Sequence, residues 1–437
     1  MRAEEIAPMS TAPVPAPGSS QAPAAEAATS PPPAERHPFF VRHFRNLWLG
    51  SSTSLLGDQL YLVALPWLVL QLTGSSLALG TIMMTATIPR TVLMLVGGAV
   101  TDLVSPRRVL ITTALTRTVL VGSVAVLVWL GDVELWQVYV LTFMFGVADA
   151  FALPAGGAML PSLVAPQQLP RANAMFQSSS VLIQMIGPAP AGVLIAGWGV
   201  ASALFFDALS FLGVIAALFR IPDPPKAPRP VAGAPARPSM LRSIGEGWRA
   251  VLNDPPLVAL TVVFAALNLC VAGPTGVGLA ALAKFQFGSA TALGTLLSCF
   301  SGGMLAGVLL GGTVKRPRRR GLQLIATSTL AGLALLSVGL VSGLIAIGAL
   351  LVVLGSCVGF VNVQFSSWAQ MRVDRALLGR VYSVVSLFAI GLVPLSYAAA
   401  GVLGQWNIKG LFIAAGALLA AIGSTMALAS KAARDVD

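Results

Sequence analysis

Twenty-seven residues from Asn46 to Leu72, NLWLGSSTSLLGDQLYLVALPWLVLQL, are long enough to cross a bilayer as one helix, and they carry a single full charge, Asp58. At about 1.5 Å per residue that carboxylate lies about 18 Å into the segment, near the middle of the hydrocarbon. Ser51, Ser54, Asp58 and Tyr61 recur at i, i+3, i+7 and i+10, which places them on one narrow polar stripe of an otherwise oily helix. Lipid cannot solvate such a stripe. It has to face other helices or a water-filled cavity.

The rest of the chain is built the same way. Charged residues make up only 10% of the 437, against about 25% in a water-soluble protein. Mean hydropathy is +0.83. The chain is therefore read as an all-α, multi-pass membrane protein that has the lipid bilayer as its main partner. The net charge of +11 is better explained by basic loops holding one face of the protein in the cytoplasm than by nucleic-acid binding. Cys270, Cys299 and Cys357 sit in apolar stretches with no metal-type spacing and read as small core residues.

Twelve apolar stretches follow one another, near 46–72, 77–101, 109–130, 136–158, 172–197, 200–221, 257–283, 290–314, 321–343, 344–368, 381–404 and 408–430. They divide the chain into a Pro/Ala-rich tail (1–45), a six-helix bundle (46–221), a linker (222–256), a second six-helix bundle (257–430) and a short tail (431–437). The linker opens with the irregular PDPPKAPRPVAGAPARP and closes with LRSIGEGWRAVL, an amphipathic helix expected on the membrane face. With the N-terminus inside, only Lys284 and Lys409 of the 27 basic residues fall in outer loops, and Arg90 and Arg117 lie within spans. Both termini are thus expected in the cytoplasm, with the chain in the cell (inner) membrane. GSSLALG (74–80) and GSATALG (288–294) match at five of seven positions, and each is followed by a glycine pair and a basic loop, the mark of a parallel six-plus-six duplication.

Five ionisable residues lie inside spans: Asp58, Arg90, Arg117, Asp149 and Asp207, all in the first half. At about 2.5–3.5 kcal/mol each, five lipid-facing charges would cost some 12–18 kcal/mol, so they must pair or face a cavity. Three acids against two guanidiniums leave one acid without a dedicated partner. Arginine stays protonated, and no span carries His or Lys, so any proton relay has to run through aspartate. The competing reading is a permanent Asp–Arg pair that only locks the helices together. In the second half the polar residues are uncharged, with Asn268, Asn362 and Gln370 at helical spacing in their stripes. They could hydrogen-bond cargo, as could Tyr61 and Gln184, or simply join helix to helix. Gly303, Gly307 and Gly311 read as close packing.

The loop GGAVTDLVSPRRV resembles the signature of the major facilitator superfamily, with Gly98, Asp102, Arg107 and Arg108 matching its Gly, Asp and basic pair. Leu103 replaces the usual basic residue. GDQLYLVALPWLV (57–69), FGVADAFALPAGGAMLPSLV (145–164), FFDALSFL (205–212) and LLGRVYSV (377–384) are similar to the branch of macrolide and siderophore exporters, and GPAPAG (187–192; Gly187, Pro188, Gly192) resembles its antiporter motif. The resemblance implies a transporter, not an enzyme, working by alternating access as a monomer without cofactor. Its expected task is proton-coupled efflux of a hydrophobic small molecule or antibiotic. Asp58, Asp149 and Asp207 are then the proton-coupling candidates, with Arg90 and Arg117 as their charge partners. Asp102 is expected to latch near Arg380 at the start of span eleven. A symporter or uniporter for a small polar solute is the alternative within the fold. A membrane enzyme or an ATP-driven pump lacks its motifs in this sequence.

Overall fold

In the hydrocarbon a backbone has to satisfy its own hydrogen bonds, and this chain does so as helices joined by tight turns. The computed structural model describes residues 37–223, 240–314, 319–373 and 375–429. Spans one to four are Arg42–Thr73, Ser76–Leu103, Pro106–Leu130 and Leu135–Met159. Gly74 (φ 60°) and Gly131 (φ 84°) end spans one and three in the left-handed conformation, where a β-carbon would be strained. At the start of span four, Glu134 and Gln137 form a capping box.

Among the described residues eleven helices are long and apolar enough to cross a membrane, because Pro188–Phe219 runs as one helix through Gly199. The contacts make it two spans. Leu169–Ile186 continues through Gly187, whose N–H bonds the Ile183 carbonyl at 2.7 Å, into the segment from Pro188 onward. This span five runs parallel to span one: Phe44 meets Phe176, the Trp48 indole donates to Ser179 at 3.0 Å, and Gln59 meets Gly187. Beyond Gly199 (φ 80°, ψ 171°) the direction is opposite. Gly57 faces Ser210, Thr53 faces Gly213 and Gly50 faces Ala217. The reversal at Gly199 separates spans five and six, and the architecture is twelve helices in two pseudo-repeated sets of six.

Span seven, Pro255–Phe287, carries two π-helical turns, Pro274–Gly278 and Ala283–Phe287. It therefore extends past its expected end and takes Lys284 out of the loop onto the helix, where the ammonium lies 4.8 Å from the Trp67 ring centroid. Spans eight to ten are Ala290–Thr313, Arg320–Leu340 and Leu344–Arg372. Span eleven is made of Arg375–Gly391 and Val393–Trp406, and span twelve is Ile408–Ala429. In the linker the amphipathic helix is Met240–Leu252. Its Glu246 pairs with Arg380 at the start of span eleven.

Glycines set how closely the spans approach. Gly303 and Gly307 of span eight rest on the backbone of span ten, and Gly355 and Gly359 of span ten rest on span eight. The duplicated motif ends in two glycines that do the same between the halves. A Cβ on Gly80 would stand 2.5 Å from the Tyr397 carbonyl and 2.7 Å from the Gly401 Cα; Gly294 lies against the Pro188 carbonyl and Gly192. Spans two and eleven, and spans five and eight, therefore close the seam between the halves at the face opposite the start of span one. Gly80→Val and Gly294→Val should each cost this conformation about 1–3 kcal/mol by overpacking. Gly122→Ala, whose nearest neighbour would be the Ala208 Cβ at 3.7 Å, should be silent in the same thermal-unfolding measurement.

Candidate functional site

A cavity of about 960 Å³ runs from the middle of the bundle toward the face where span one begins. The structure puts all four members of the polar stripe, Ser51, Ser54, Asp58 and Tyr61, on its wall. Arg90 comes from span two, Arg117 from span three, Asp149 from span four and Gln184 from span five. Tyr397 of span eleven is the second-half residue on this wall, and nothing in its sequence context singles it out.

Arg117 is fixed by what surrounds it. Its guanidinium lies 4.7 Å from the Phe145 centroid and 5.5 Å from that of Phe211, two rings that neighbour each other at 6.4 Å and together form the aromatic wall it packs on. Its terminal nitrogen meets the Asp149 carboxylate, and Arg90 approaches the other oxygen of the same acid at 3.6 Å. Asp149 thus takes both arginines of the cavity. Tyr61 stacks on Phe145 at 4.7 Å, with its hydroxyl buried and unbonded.

The other two acids stand differently. Asp58 lines the cavity with no hydrogen bond or ion pair among the described residues. Asp207 is fully buried, off the cavity wall, and neither carboxylate oxygen has a partner. The Arg117 Nε is also unbonded. Three acids and two arginines have been gathered around one space, and two of the acids carry no direct counter-ion.

Asn268, Asn362 and Gln370 lie away from this cavity. Asn268 and Asn362 donate to carbonyls one turn back, Phe264 and Val358, each at 2.9 Å, and Gln370 donates to the Tyr382 hydroxyl at 3.3 Å. Their amides are spent within the second half. There a stacked Phe264–Phe365 pair, 4.6 Å apart, joins spans seven and ten as Tyr61–Phe145 joins spans one and four. Gln184 reaches the wall but bonds Ser180 at 2.9 Å. Gly187, Pro188 and Gly192 are the packing points of span five against Gln59 and span eight.

The side chains of Gly98 and Asp102 lie outside the described residues, and Arg380, the expected surroundings of Asp102, holds Glu246. Arg107 donates from Nε to the Leu218 carbonyl at 2.8 Å, and Arg107 and Arg108 face Asp223 at 3.5 and 3.8 Å. The basic pair thus ties the start of span three to the end of span six. The Ser105 hydroxyl, donating at 2.9 Å, and then the Arg107 guanidinium hold the Asp223 carboxyl below the usual carboxylate range.

The sequence signature of the Major Facilitator Superfamily matches residues 47–397. The chain is 30% identical over 387 residues to the multidrug efflux pump Tap of Mycolicibacterium fortuitum, covering 85% of this chain and 90% of that protein. It is 24% identical over 346 residues to the macrolide efflux protein A of Streptococcus pyogenes, covering 78% and 84%. Among solved structures, a bacterial homologue of the iron transporter ferroportin in an inward-facing state superposes with a TM-score of 0.69 at 19% identity, over 89% of this chain and 98% of that one. The nucleoside transporter NupG does so at 0.67 and 13%, over 90% and 100%. These last two share the fold.

Two outcomes follow from the charges. Asp149→Asn leaves Arg117 without its anion, and removing one partner of a buried pair costs about 3–5 kcal/mol. Asp149→Asn and Arg117→Gln should each lower the unfolding temperature, and the double variant should recover part of the loss. Because the Asp223 carboxyl is depressed in the folded protein, its contribution is present above the ordinary aspartate range and is lost as pH falls through the folded value. Asp223→Asn should therefore lower stability slightly at neutral pH and flatten the acid limb of a stability-against-pH curve.

Proposed function

Because the chain belongs to the Major Facilitator Superfamily, we propose that it exports a hydrophobic small molecule or antibiotic in exchange for protons. Transport proceeds by alternating access, the bundles 46–221 and 257–430 rocking about the cavity on the linker 222–256. The protein sits in the cell membrane as a monomer with both termini in the cytoplasm, where its basic loops gather. The cavity then faces the cytoplasm in this conformation.

One observation carries the reading: Asp58 lies on the cavity wall with no cation bound to it, while Asp149 holds two. A cavity acid without a fixed counter-ion is neutralised by what enters, a proton or a cationic part of the cargo. When one leaves, the other can take its place, and that exclusion is what couples the two fluxes. Asp149 with Arg117 and Arg90 forms the fixed charge against which Asp58 works, and Asp207 is a third acid within electrostatic reach. Leu55, Leu62, Leu65, Met83 and Phe176 supply apolar wall for the cargo, which disfavours a small polar solute. The named activities of the two relatives, multidrug and macrolide efflux, point to the same class of cargo.

The test is cargo-driven proton exchange in everted vesicles, with a macrolide among a panel of hydrophobic antibiotics. Asp58→Asn should lower coupled exchange by about tenfold or more while cargo still binds, since it removes the acid but keeps its shape. Protection of growing cells should vanish with a protonophore. Coupling that survives in both Asp58→Asn and Asp149→Asn overturns the assignment.

A further inference from the structure

Spans one and six touch at Gly57. A Cβ there would stand 2.5 Å from the Asp207 Oδ1, so the bare backbone of Gly57 is the surface on which the buried carboxyl rests. Ser210, one turn on from Asp207, closes the other side and turns its hydroxyl to the Asp207 carbonyl at 2.7 Å, which leaves the carboxylate unbonded.

Gly57 and Ser210 are also two walls of a separate recess of about 360 Å³ between spans one, five and six. Its rim is Leu56, Ile186, Phe206 and Leu209, all exposed and therefore turned to acyl chains in a bilayer. An apolar pocket opening on lipid thus has an unpartnered acid immediately behind its floor. A lipid tail would fill the recess but leave the carboxylate bare, and an anion would meet a like charge. A metal ion needs several oxygen ligands, where the recess offers the hydroxyls of Thr53 and Ser210. The complement of an apolar wall and one negative charge is one positive charge on an apolar body.

We propose that this recess is a membrane-side binding site for a lipophilic amine cation, with Asp207 as its counter-ion. Its volume suits the amine-bearing end of a drug-sized molecule, at the low end of ligand pockets. Gly57 is the thin point of the wall: a larger residue would separate cation from carboxylate. Beyond Asp207, toward the main cavity, lie Asp58, Tyr61 and Arg117, within its electrostatic reach. A cation released inward from Asp207 meets Asp58 next. The proposal rests on the export reading for its purpose, because a hydrophobic cation concentrates in the membrane and is met there.

The test is equilibrium binding without any gradient, so a failure of proton coupling leaves its outcome untouched. The full-length protein in phosphatidylcholine nanodiscs is titrated with a dansyl-labelled long-chain alkylamine and with the neutral alcohol of the same chain, each corrected for empty discs. The wild type should favour the amine by about tenfold, and Asp207→Asn should bring that preference below about twofold. Leu209→Trp, placed on the lipid-facing rim where it does not disturb the core, should weaken amine binding by about fivefold through filling the recess. An amine preference unchanged in Asp207→Asn overturns the proposal, as does a preference lost in Asp58→Asn but kept in Asp207→Asn. Should Asp207→Asn fail to fold, unchanged amine affinity in Leu209→Trp overturns it alone.

Discussion

Charge held out of water is the constraint on which this structure turns. At an effective dielectric of about 20, two opposite charges 4 Å apart attract by about 4 kcal/mol, enough to dictate which helices sit together. Asp149 and Arg117 are the centre of that interaction, and the neighbouring rings of Phe145 and Phe211 pack against the guanidinium. With Arg90 on the same acid, both cations are committed. Asp58, on the cavity wall, and Asp207, fully buried, are left without a direct cation among the described residues.

The two halves share a backbone plan but have divided the work. In the first half the aromatic pair Tyr61–Phe145 borders open space and a charged cluster. In the second, Phe264–Phe365 is packed against Trp368, and neighbouring amides bond within their own half. At equivalent places in the two halves, one aromatic pair borders the charged cavity and the other is packed over. Among the described residues the cavity wall therefore comes almost wholly from spans one to six, with Tyr397 lent by the second half.

Much of this was legible in the sequence because the bilayer permits few alternatives. A charge on a 27-residue apolar run has to be placed somewhere tolerable, and the spacing of Ser51, Ser54, Asp58 and Tyr61 already named the face. Spans five and six were separable by the glycine at 199, which the hydropathy of Pro188–Phe219 alone hides. Pairing was not legible. Three acids and two arginines can combine in several ways, and spacing along the helices does not say that Arg117 and Arg90 both meet Asp149. Nor could the spacing of Asn268 and Asn362 reveal that their amides would turn to their own helices, since helical periodicity gives the face and not the rotamer.

How the halves are joined bears on how they could move. The described ion pairs stay within a half: Arg90 and Arg117 with Asp149, Arg107 and Arg108 with Asp223, and Arg372 with Asp254. Arg380 with Glu246 ties span eleven to the linker helix. Across the seam the contacts are of another kind: glycine against backbone at Gly80 and Gly294, Ser75 with Gln405 at 2.9 Å, the Ala189 N–H to Ser298 at 3.0 Å, and Lys284 over Trp67. Neutral hydrogen bonds of this sort contribute about 0.5–1.5 kcal/mol net, and dispersion between close backbones is lost gradually on separation. Opening that seam would break no described ion pair. The boundary between the halves is thus made of weak, replaceable contacts, whereas the charge pairs lie inside the halves.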